Sequence, residues 1–400
     1  MKILFLTDNF PPEVNAPATR TYQHCQEWVK LGAEVTVITC FPNFPKGKIF
    51  PGYKNKLYQK EEVDGISVIR VWTYVASNSG TLKRILDFLS FGIMSILFGL
   101  FVKTDVIVGT SPQFFTACAA RVLHLLKQKP WVFEVRDLWP ESIRAVGAIS
   151  NENILRFLEK LELSLYRSAN KIVVVTDAFK KNIISKGINH SKIEIVKNGV
   201  ILPKSIPSEN LKLREQLKLK DKFVVGYIGT HGLAHKLDFI LGSAPYVNSN
   251  IHFLLIGDGA QKESLVKQHK ELGLQNLSML DSIPKEEIFN YIAAIDVALV
   301  NLKKSDTFKT VLPSKIFENT ALSKPILMGV EGEAKELIEK YDAGLCFVPE
   351  DRNDFLKKLS SMHSDSAQYK RFQKGCENLT KDFKREKLAL NMFNILKLLI

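Results

Sequence analysis

The sequence predicts an α/β protein of two domains, each a parallel β-sheet covered by helices on both faces. Three observations carry this expectation. Short apolar runs recur along the chain, and most lack the polar alternation of a strand with one wet face, so they read as strands buried on both sides. Longer amphipathic stretches separate the runs, in the rhythm of helices that connect parallel strands. The chain has 400 residues, which exceeds one typical domain and suits two of roughly 150–200 residues each.

The first series of runs is Ile3–Leu6, Val35–Ile38, Ile66–Val71, Val106–Val108, Val132–Val135 and Ile172–Val175. The second is Phe223–Ile228, His252–Ile256, Val297–Val300 and Pro325–Met328. Between the series lies KNGVILPKSIPSEN, in which Pro203 and Pro207 separate a strand-like run from a new helix. The domains are therefore expected at 1–200 and 205–380. The remaining 381–400 carries apolar residues at helical spacing, a helix that could pack on either domain or touch a membrane. No solenoid-period repeat and no low-complexity tract is present.

Composition narrows the function. Hydrophobic residues make up 46% and charged residues 24%, an ordinary globular balance. The formal charge of +13 favours acidic partners such as phosphorylated substrates or anionic lipid headgroups. The basic residues form no long block and are not interleaved with aromatics in a nucleic-acid module, so nucleic acid is not an expected partner. Five cysteines, Cys25, Cys40, Cys118, Cys346 and Cys376, are widely spaced without a CxxC pair. That suits reduced thiols in the cytoplasm better than a disulfide frame or a zinc site, and no metal site is expected. The opening MKILFLTDNF meets Asp8 after four apolar residues, too few for a signal peptide.

Residues Phe88–Phe101 (FLSFGIMSILFGLF) form the most apolar stretch, bracketed by Lys83, Arg84 and Lys103. Spanning a bilayer takes about 20 apolar residues, so this stretch is too short to cross. It fits either a buried helix of the first domain or a membrane-interface helix with basic flanks, and the overall charge tilts toward the second.

In open α/β sheets, ligands bind on the loops leaving the carboxyl ends of strands. After the first run comes TDNFPPEVNAPATR, where Asn15, Ala16 and Arg20 lie at a helix start able to receive an acceptor oxygen or phosphate. The same pattern also fits an ordinary β–α loop. After Val132–Val135 comes RDLWPES: Arg136 and Asp137 at the strand end, then Trp139 and Glu141. This suits catalysis or acceptor orientation, and equally a structural ion pair. After Phe223–Ile228 comes GTHGLAHK. Gly229 and Gly232 permit close backbone approach, Thr230 and His231 can donate to phosphate oxygens, and Lys236 adds positive charge. After His252–Ile256, Gly257, Asp258 and Gly259 form a tight turn into a helix. Further on, Pro313 and Ser314 mark a helix start, and Lys315 and Glu318 share one helical face. Such a carboxylate can accept two bonds from a ribose diol, while the lysine and the helix start can hold a diphosphate.

Together these loops resemble the family 4 glycosyltransferases. The residues carrying the resemblance are TDNFPPE (7–13), LGAEVTVIT (31–39), VRDLWPES (135–142), VKNGV (196–200), YIGTHGLAHK (227–236), LLIGDGAQKESL (254–265), PSKIFE (313–318) and KPILMGVEGEAKELI (324–338). Within the family, FPNFPKGKIFPGY (41–53), EEVDGISVIRVWTY (61–74), RDLWPES and GTHG are most similar to the L-fucosamine transferase type of bacterial O-antigen and capsule synthesis.

The resemblance implies the GT-B architecture of two Rossmann-like domains, the first holding the acceptor and the second a UDP-sugar. It implies transfer with retention of configuration, without a tightly bound metal or other cofactor. The acceptor would be an isoprenoid-diphosphate-linked saccharide, met at the inner face of the plasma membrane, and the sugar an N-acetylated deoxyhexosamine such as L-FucNAc. By position, Glu318 matches the family's ribose-binding glutamate, and Lys315 lies beside the diphosphate. Thr230, His231 and Lys236 match the donor-phosphate loop, and Asp281–Pro284 with Ile283 match the turn beside the nucleobase. Three positions depart from the family pattern: Thr310 replaces the first of its paired glutamates, Arg136-Asp137 replaces His-Asp, and Asn15-Ala16 replaces Gly-Gly. Two other readings of the same residues are a UDP-N-acetylhexosamine 2-epimerase of this fold and a non-catalytic glycan-binding scaffold.

Overall fold

A computed structural model describes residues 1–44, 47–75, 81–141, 144, 151–202 and 211–400. The expected interdomain break at 203–210 and Ser142 of RDLWPES lie outside the described residues. The chain divides into two compact units, Met1–Lys197 with Arg385–Ile400, and Asn198–Lys384.

The first unit is built on an eight-stranded sheet. Its strands are β1 (Lys2–Leu6), β2 (Glu34–Cys40), β3 (Tyr58–Val63), β4 (Ile66–Val71), β5 (Val106–Thr110), β6 (Trp131–Val135), β7 (Lys171–Val174) and β8 (Ile193–Ile195). They run in the order β3-β4-β2-β1-β5-β6-β7-β8. All pairings are parallel except β3 with β4. The second sheet holds β9 (Phe223–Ile228), β10 (Ile251–Ile256), β11 (Leu277–Leu280), β12 (Val297–Asn301), β13 (Ile326–Gly329) and β14 (Gly344–Cys346). Its order, β11-β10-β9-β12-β13-β14, is the doubly wound Rossmann order, parallel throughout.

Each apolar run of the sequence forms a strand, and burial on both faces explains why none needed to alternate. In β1, Ile3 and Phe5 pack in a core with Trp28 and Phe393, while Leu4 and Leu6 pack on the other face with Phe91 and Phe133. Strands β3, β8, β11 and β14 were not anticipated: each is a short or polar strand at or next to a sheet edge. For β3 a local signal existed. Asp64 and Gly65 both adopt positive φ (48° and 78°) in a two-residue connection to β4, the conformation that favours Asp-Gly in hairpins.

The C-terminal helix Arg385–Lys397 belongs to the first unit. Leu388, Met392, Phe393 and Leu396 are buried in its core, and Trp28 Nε1 donates to the Ala389 carbonyl at 2.9 Å. The apolar stretch lies within and just beyond the helix Thr81–Gly99. One face is buried, with Phe91, Met94 and Ser95. The opposite face exposes Leu86, Leu89, Ile93 (57%) and Leu97 (50%), followed by Phe101 (87%). The stretch is thus a core helix with an uncovered apolar side. Among the described residues no helix is long and apolar enough to cross a membrane. All five cysteines are free thiols.

Candidate functional site

The second sheet reverses its winding between β9 and β12, and the loops leaving these strands at such a switch point form the expected ligand crevice. Three segments converge there. Gly229–Gly232 follows β9, Gly257–Gly259 follows β10, and the helix Lys315–Thr320 begins after β12.

The glycines allow the loops to touch through their backbones. Gly257 has φ +147°, and a Cβ there would lie 1.9 Å from the Gly229 carbonyl oxygen. At Gly229 (φ +144°) a Cβ would lie 2.3 Å from Lys315 Cε. The space left by Gly229 is therefore taken by the lysine side chain, which the glycine admits to the strand end. His231 clasps the two loops: its backbone N–H donates to the Asp258 carbonyl at 2.8 Å, and its carbonyl accepts from Gln261 N–H at 2.8 Å. Lys262 Nζ adds a bond to the Gly257 carbonyl at 3.0 Å and one to that of Leu280. On the far side of the loop, the buried Asn301 at the end of β12 donates to the carbonyls of His235 (2.9 Å) and Lys236 (3.3 Å).

Lys315 is the cation at the centre of this arrangement. Its Nζ donates to Tyr227 Oη at 2.6 Å and lies 4.0 Å from the centroid of the same ring. Burial pulls the ammonium down to about 7, opposed by the charge of Glu318 one turn further on. His231 and His235 are pulled down to about 4, first by burial and then by neighbouring lysines, so both are neutral at ordinary pH. The His231 ring is fully enclosed against Tyr227, and neither ring nitrogen completes a hydrogen bond inside the unit.

The remaining residues expected at the donor site fall around this core. Thr230, Asp258 and Ser314 are exposed, and Glu318 is partly exposed. Asp258 Oδ1 accepts from Gly259 N–H at 2.7 Å. Lys236 is held by Asp238 at 2.6 Å, so its charge is already neutralised. Ile283 packs against the core beside Leu280. Thr310 donates to the Thr307 carbonyl within its own turn.

The residues expected on the acceptor side lie in the first unit, at the carboxyl ends of β1 and β6. Asn15 caps the helix Ala16–Lys30, accepting from Ala18 N–H at 2.9 Å and donating to Asn9. Ala16 is exposed. Arg20 is 1% exposed. Its Nε pairs with Glu134 at 2.9 Å, and its other nitrogens bond the Lys197 and Val196 carbonyls at 2.8 and 2.9 Å. That is the geometry of a brace between elements. Arg136 NH1 donates to the Pro17 carbonyl at 3.3 Å, its Nε is buried without a bonding partner, and burial lowers it to about 10, still a cation at neutral pH. The backbone N–H groups of Arg136 and Asp137 both donate to Ser111 Oγ. Trp139 stacks on Phe114 with centroids 5.7 Å apart, and Glu141 pairs with Lys186 at 3.0 Å.

Three participants were not singled out from the sequence. Tyr227 and Asn301 act through partners 88 and 65–66 positions away. Glu13 is a buried carboxylate whose Oε1 accepts from Asn43 and Phe44 N–H groups, both at 2.8 Å. Burial lifts it to about 7. Only a charged residue in the middle of the first loop could have hinted at it.

Comparison with known proteins agrees with this fold. Residues 15–199 match the family model described as "Glycosyl transferase 4-like domain", and residues 209–378 match "Glycosyl transferases group 1". An Escherichia coli (strain K12) protein named as a colanic acid biosynthesis glycosyl transferase, WcaI, is 25% identical over 365 residues, covering 88% of this chain and 89% of its own. A Pseudomonas aeruginosa protein named as a glycosyltransferase, WbjE, is 28% identical over 258 residues, 62% of this chain and 64% of its own. Among solved structures, Anabaena HepE in complex with UDP superposes with a TM-score of 0.73 at 16% identity over the whole of both chains. Sucrose-phosphate synthase from Thermosynechococcus elongatus reaches 0.77 at 14% identity, covering 100% of this chain and 98% of its own. The chain has the GT-B fold. It is a glycosyltransferase, with a 4-like domain in its first half and a group 1 domain in its second.

Proposed function

We propose that the second unit grips a UDP-sugar and that the chain transfers its glycosyl unit, with retention, to a lipid-linked saccharide in bacterial surface-polysaccharide assembly. The observation that carries this reading is Lys315, an ammonium held at the winding reversal of a Rossmann sheet against Gly229 and Tyr227 and one helical turn from Glu318. HepE was solved with UDP and with UDP-glucose, and WcaI is named for colanic acid synthesis. The first supports a uridine nucleotide donor here and the second a polysaccharide product.

In this reading Glu318 takes the ribose hydroxyls, and Ile283 flanks the base. Lys315, Thr230 and the backbone of Gly229, Gly257 and Gly259 meet the diphosphate, with Asp258 and Ser314 at the rim. His231 and Lys236 shape the donor loop, His231 by clasping it and Lys236 through its left-handed backbone (φ 48°). Departure of the diphosphate leaves negative charge on its oxygens, and a preorganised cation lowers that barrier most. The acceptor hydroxyl attacks from the side of the leaving group, its proton taken by a donor phosphate oxygen. Arg136 offers charge to an acceptor anion, and Asp137 assists the transfer. Asn15, Ala16, Trp139 and Glu141 frame the acceptor loop, and Arg20 braces it. The donor sugar is an N-acetylated deoxyhexosamine such as L-FucNAc.

Product analysis tests this directly. Mass spectrometry of reactions containing a panel of UDP-sugars and isoprenoid-diphosphate-linked saccharides is expected to show one sugar added and UDP released. UDP-sugar converted to an epimer without acceptor would replace this reading with the epimerase, and no turnover of any donor would leave a glycan-binding scaffold.

The lipid-linked acceptor requires a membrane, and the uncovered stripe Leu86, Leu89, Ile93 and Leu97 on the helix Thr81–Gly99 is the surface proposed to meet it. Exposed Lys83 and Lys103 lie near its ends in the sequence and suit anionic headgroups. The unsubstituted chain is expected to sediment with vesicles containing anionic lipid. The double substitution Ile93→Asp and Leu97→Asp should reduce bound protein by about tenfold, since each removes one apolar side chain from the interface and adds a charge. Equal sedimentation of both proteins would contradict a membrane role for this face.

A further inference from the structure

We propose that Tyr227 is a positioning residue for the nucleoside diphosphate, its hydroxyl fixing the Lys315 ammonium and the Thr230–His231 peptide in one hydrogen-bonded chain. The inference rests on the donor reading above and adds to it a residue with no contact of its own to the ligand.

Tyr227 is the next-to-last residue of β9 and is fully buried. Its Oη accepts from Lys315 Nζ at 2.6 Å and donates to the Thr230 carbonyl at 2.7 Å. An ammonium can only donate and a carbonyl can only accept, so the single hydroxyl proton has one possible direction. The chain therefore has fixed polarity: lysine to tyrosine to carbonyl. The peptide that carries this carbonyl is held at its other end as well, because His231 N–H donates to the Asp258 carbonyl at 2.8 Å. Pinned at both ends, the peptide cannot rotate, and the exposed Thr230 side chain and the Gly229 backbone before it keep one orientation. The Tyr227 ring supplies a second hold on Lys315, with Nζ 4.0 Å from its centroid.

The groups that face the Lys315 ammonium are Tyr227, Glu318 and the two neutral imidazoles of His231 and His235. Burial disfavours the charged lysine and Glu318 favours it; the tyrosine oxygen, by accepting a hydrogen bond from the ammonium, is a further support for that charge. Removing the hydroxyl deletes one of the two supports, so the proton should leave Lys315 at lower pH. An incoming diphosphate would then find less cation and a looser loop.

The test is UDP binding to the full chain between pH 6 and 9, read by ligand-observed NMR, for the unsubstituted protein, Tyr227→Phe, Lys315→Met and the double variant. Tyr227→Phe keeps the ring and is expected to weaken UDP about tenfold, the loss typical of a hydrogen bond to a charged group. It should also move the alkaline fall-off of binding to lower pH. In the Lys315→Met background the same change is expected to cost less than about twofold, because the two act as one unit. Lys315→Arg supplies a second reading. It keeps the charge but cannot reproduce the ammonium's compact contact, so it too should weaken UDP by about tenfold.

Unchanged affinity and an unchanged fall-off in Tyr227→Phe, full affinity in Lys315→Arg, or an equal tenfold loss with and without Lys315 would each overturn this inference while leaving the donor site standing. Failure of the unsubstituted chain to bind UDP would overturn both.

Discussion

Lys315→Met is expected to lower turnover by about 10²–10³-fold, the range found when one preorganised donor to developing negative charge is removed. Methionine retains an unbranched apolar side chain in the space left by Gly229, so the loop contacts at Gly257 and His231 should persist. What disappears is the one ammonium held at the strand end by Tyr227. The sign of the pH effect follows from its depressed value of about 7. Above that pH the free protein holds Lys315 largely neutral, while a bound diphosphate favours the ammonium. UDP binding near pH 8 is therefore expected to take up protons and to weaken as pH rises. Calorimetry in two buffers of different ionisation enthalpy reads this uptake directly, and Lys315→Met should abolish most of it. Turnover within about threefold of the unsubstituted chain would show that the leaving group is stabilised elsewhere.

Arg20→Met is expected to destabilise the first unit by about 3–5 kcal/mol, the cost of leaving one partner of a buried ion pair without the other. Arg20 and Glu134 are each 1% exposed and meet at 2.9 Å. Removal of the guanidinium also strips bonds from the Val196 and Lys197 carbonyls, which complete the first unit's chain path. Burial alone would raise Glu134, but Arg20 and Arg136 overcome it and hold the carboxyl below its ordinary value of 4.5. Its charged contribution is therefore complete above that value and is lost as the pH falls through the lower folded-state value. Replacing both partners by methionine should recover much of the loss. Chemical denaturation measures all three variants. A destabilisation under about 1 kcal/mol, with impaired acceptor use, would instead make Arg20 a substrate contact.

The two sheets were legible because strands buried on both faces must be continuously apolar. Val132–Val135 and Phe223–Ile228 left little choice, and their parallel pairing follows from the helices between them. What stayed hidden were strands whose residues answer to an edge or to solvent, such as Tyr58–Val63, where Asp64-Gly65 was the only signal.

The site divides in the same way. Loops that follow strands could be found by position, and Gly229, Gly257, Lys315 and Glu318 do converge at one end of the second sheet. The division of labour among them could not be read from the sequence. Gly229 makes room for a lysine, Lys236 is already paired with Asp238, and His231 is enclosed. The roles of Tyr227 and Asn301 could not be read because a hydrogen bond across 65–88 positions leaves no local pattern. Residues such as Arg20 and Glu141 were recognised as polar groups near strand ends, but only packing distinguishes a brace from a ligand contact.

A crystal of the full chain grown with UDP puts the central claim to the sharpest test. The diphosphate is expected within hydrogen-bonding distance of Lys315 Nζ and the 229–230 backbone, with the ribose hydroxyls on Glu318. UDP bound away from Lys315 and Glu318, with this strand end closed by side chains, would contradict it.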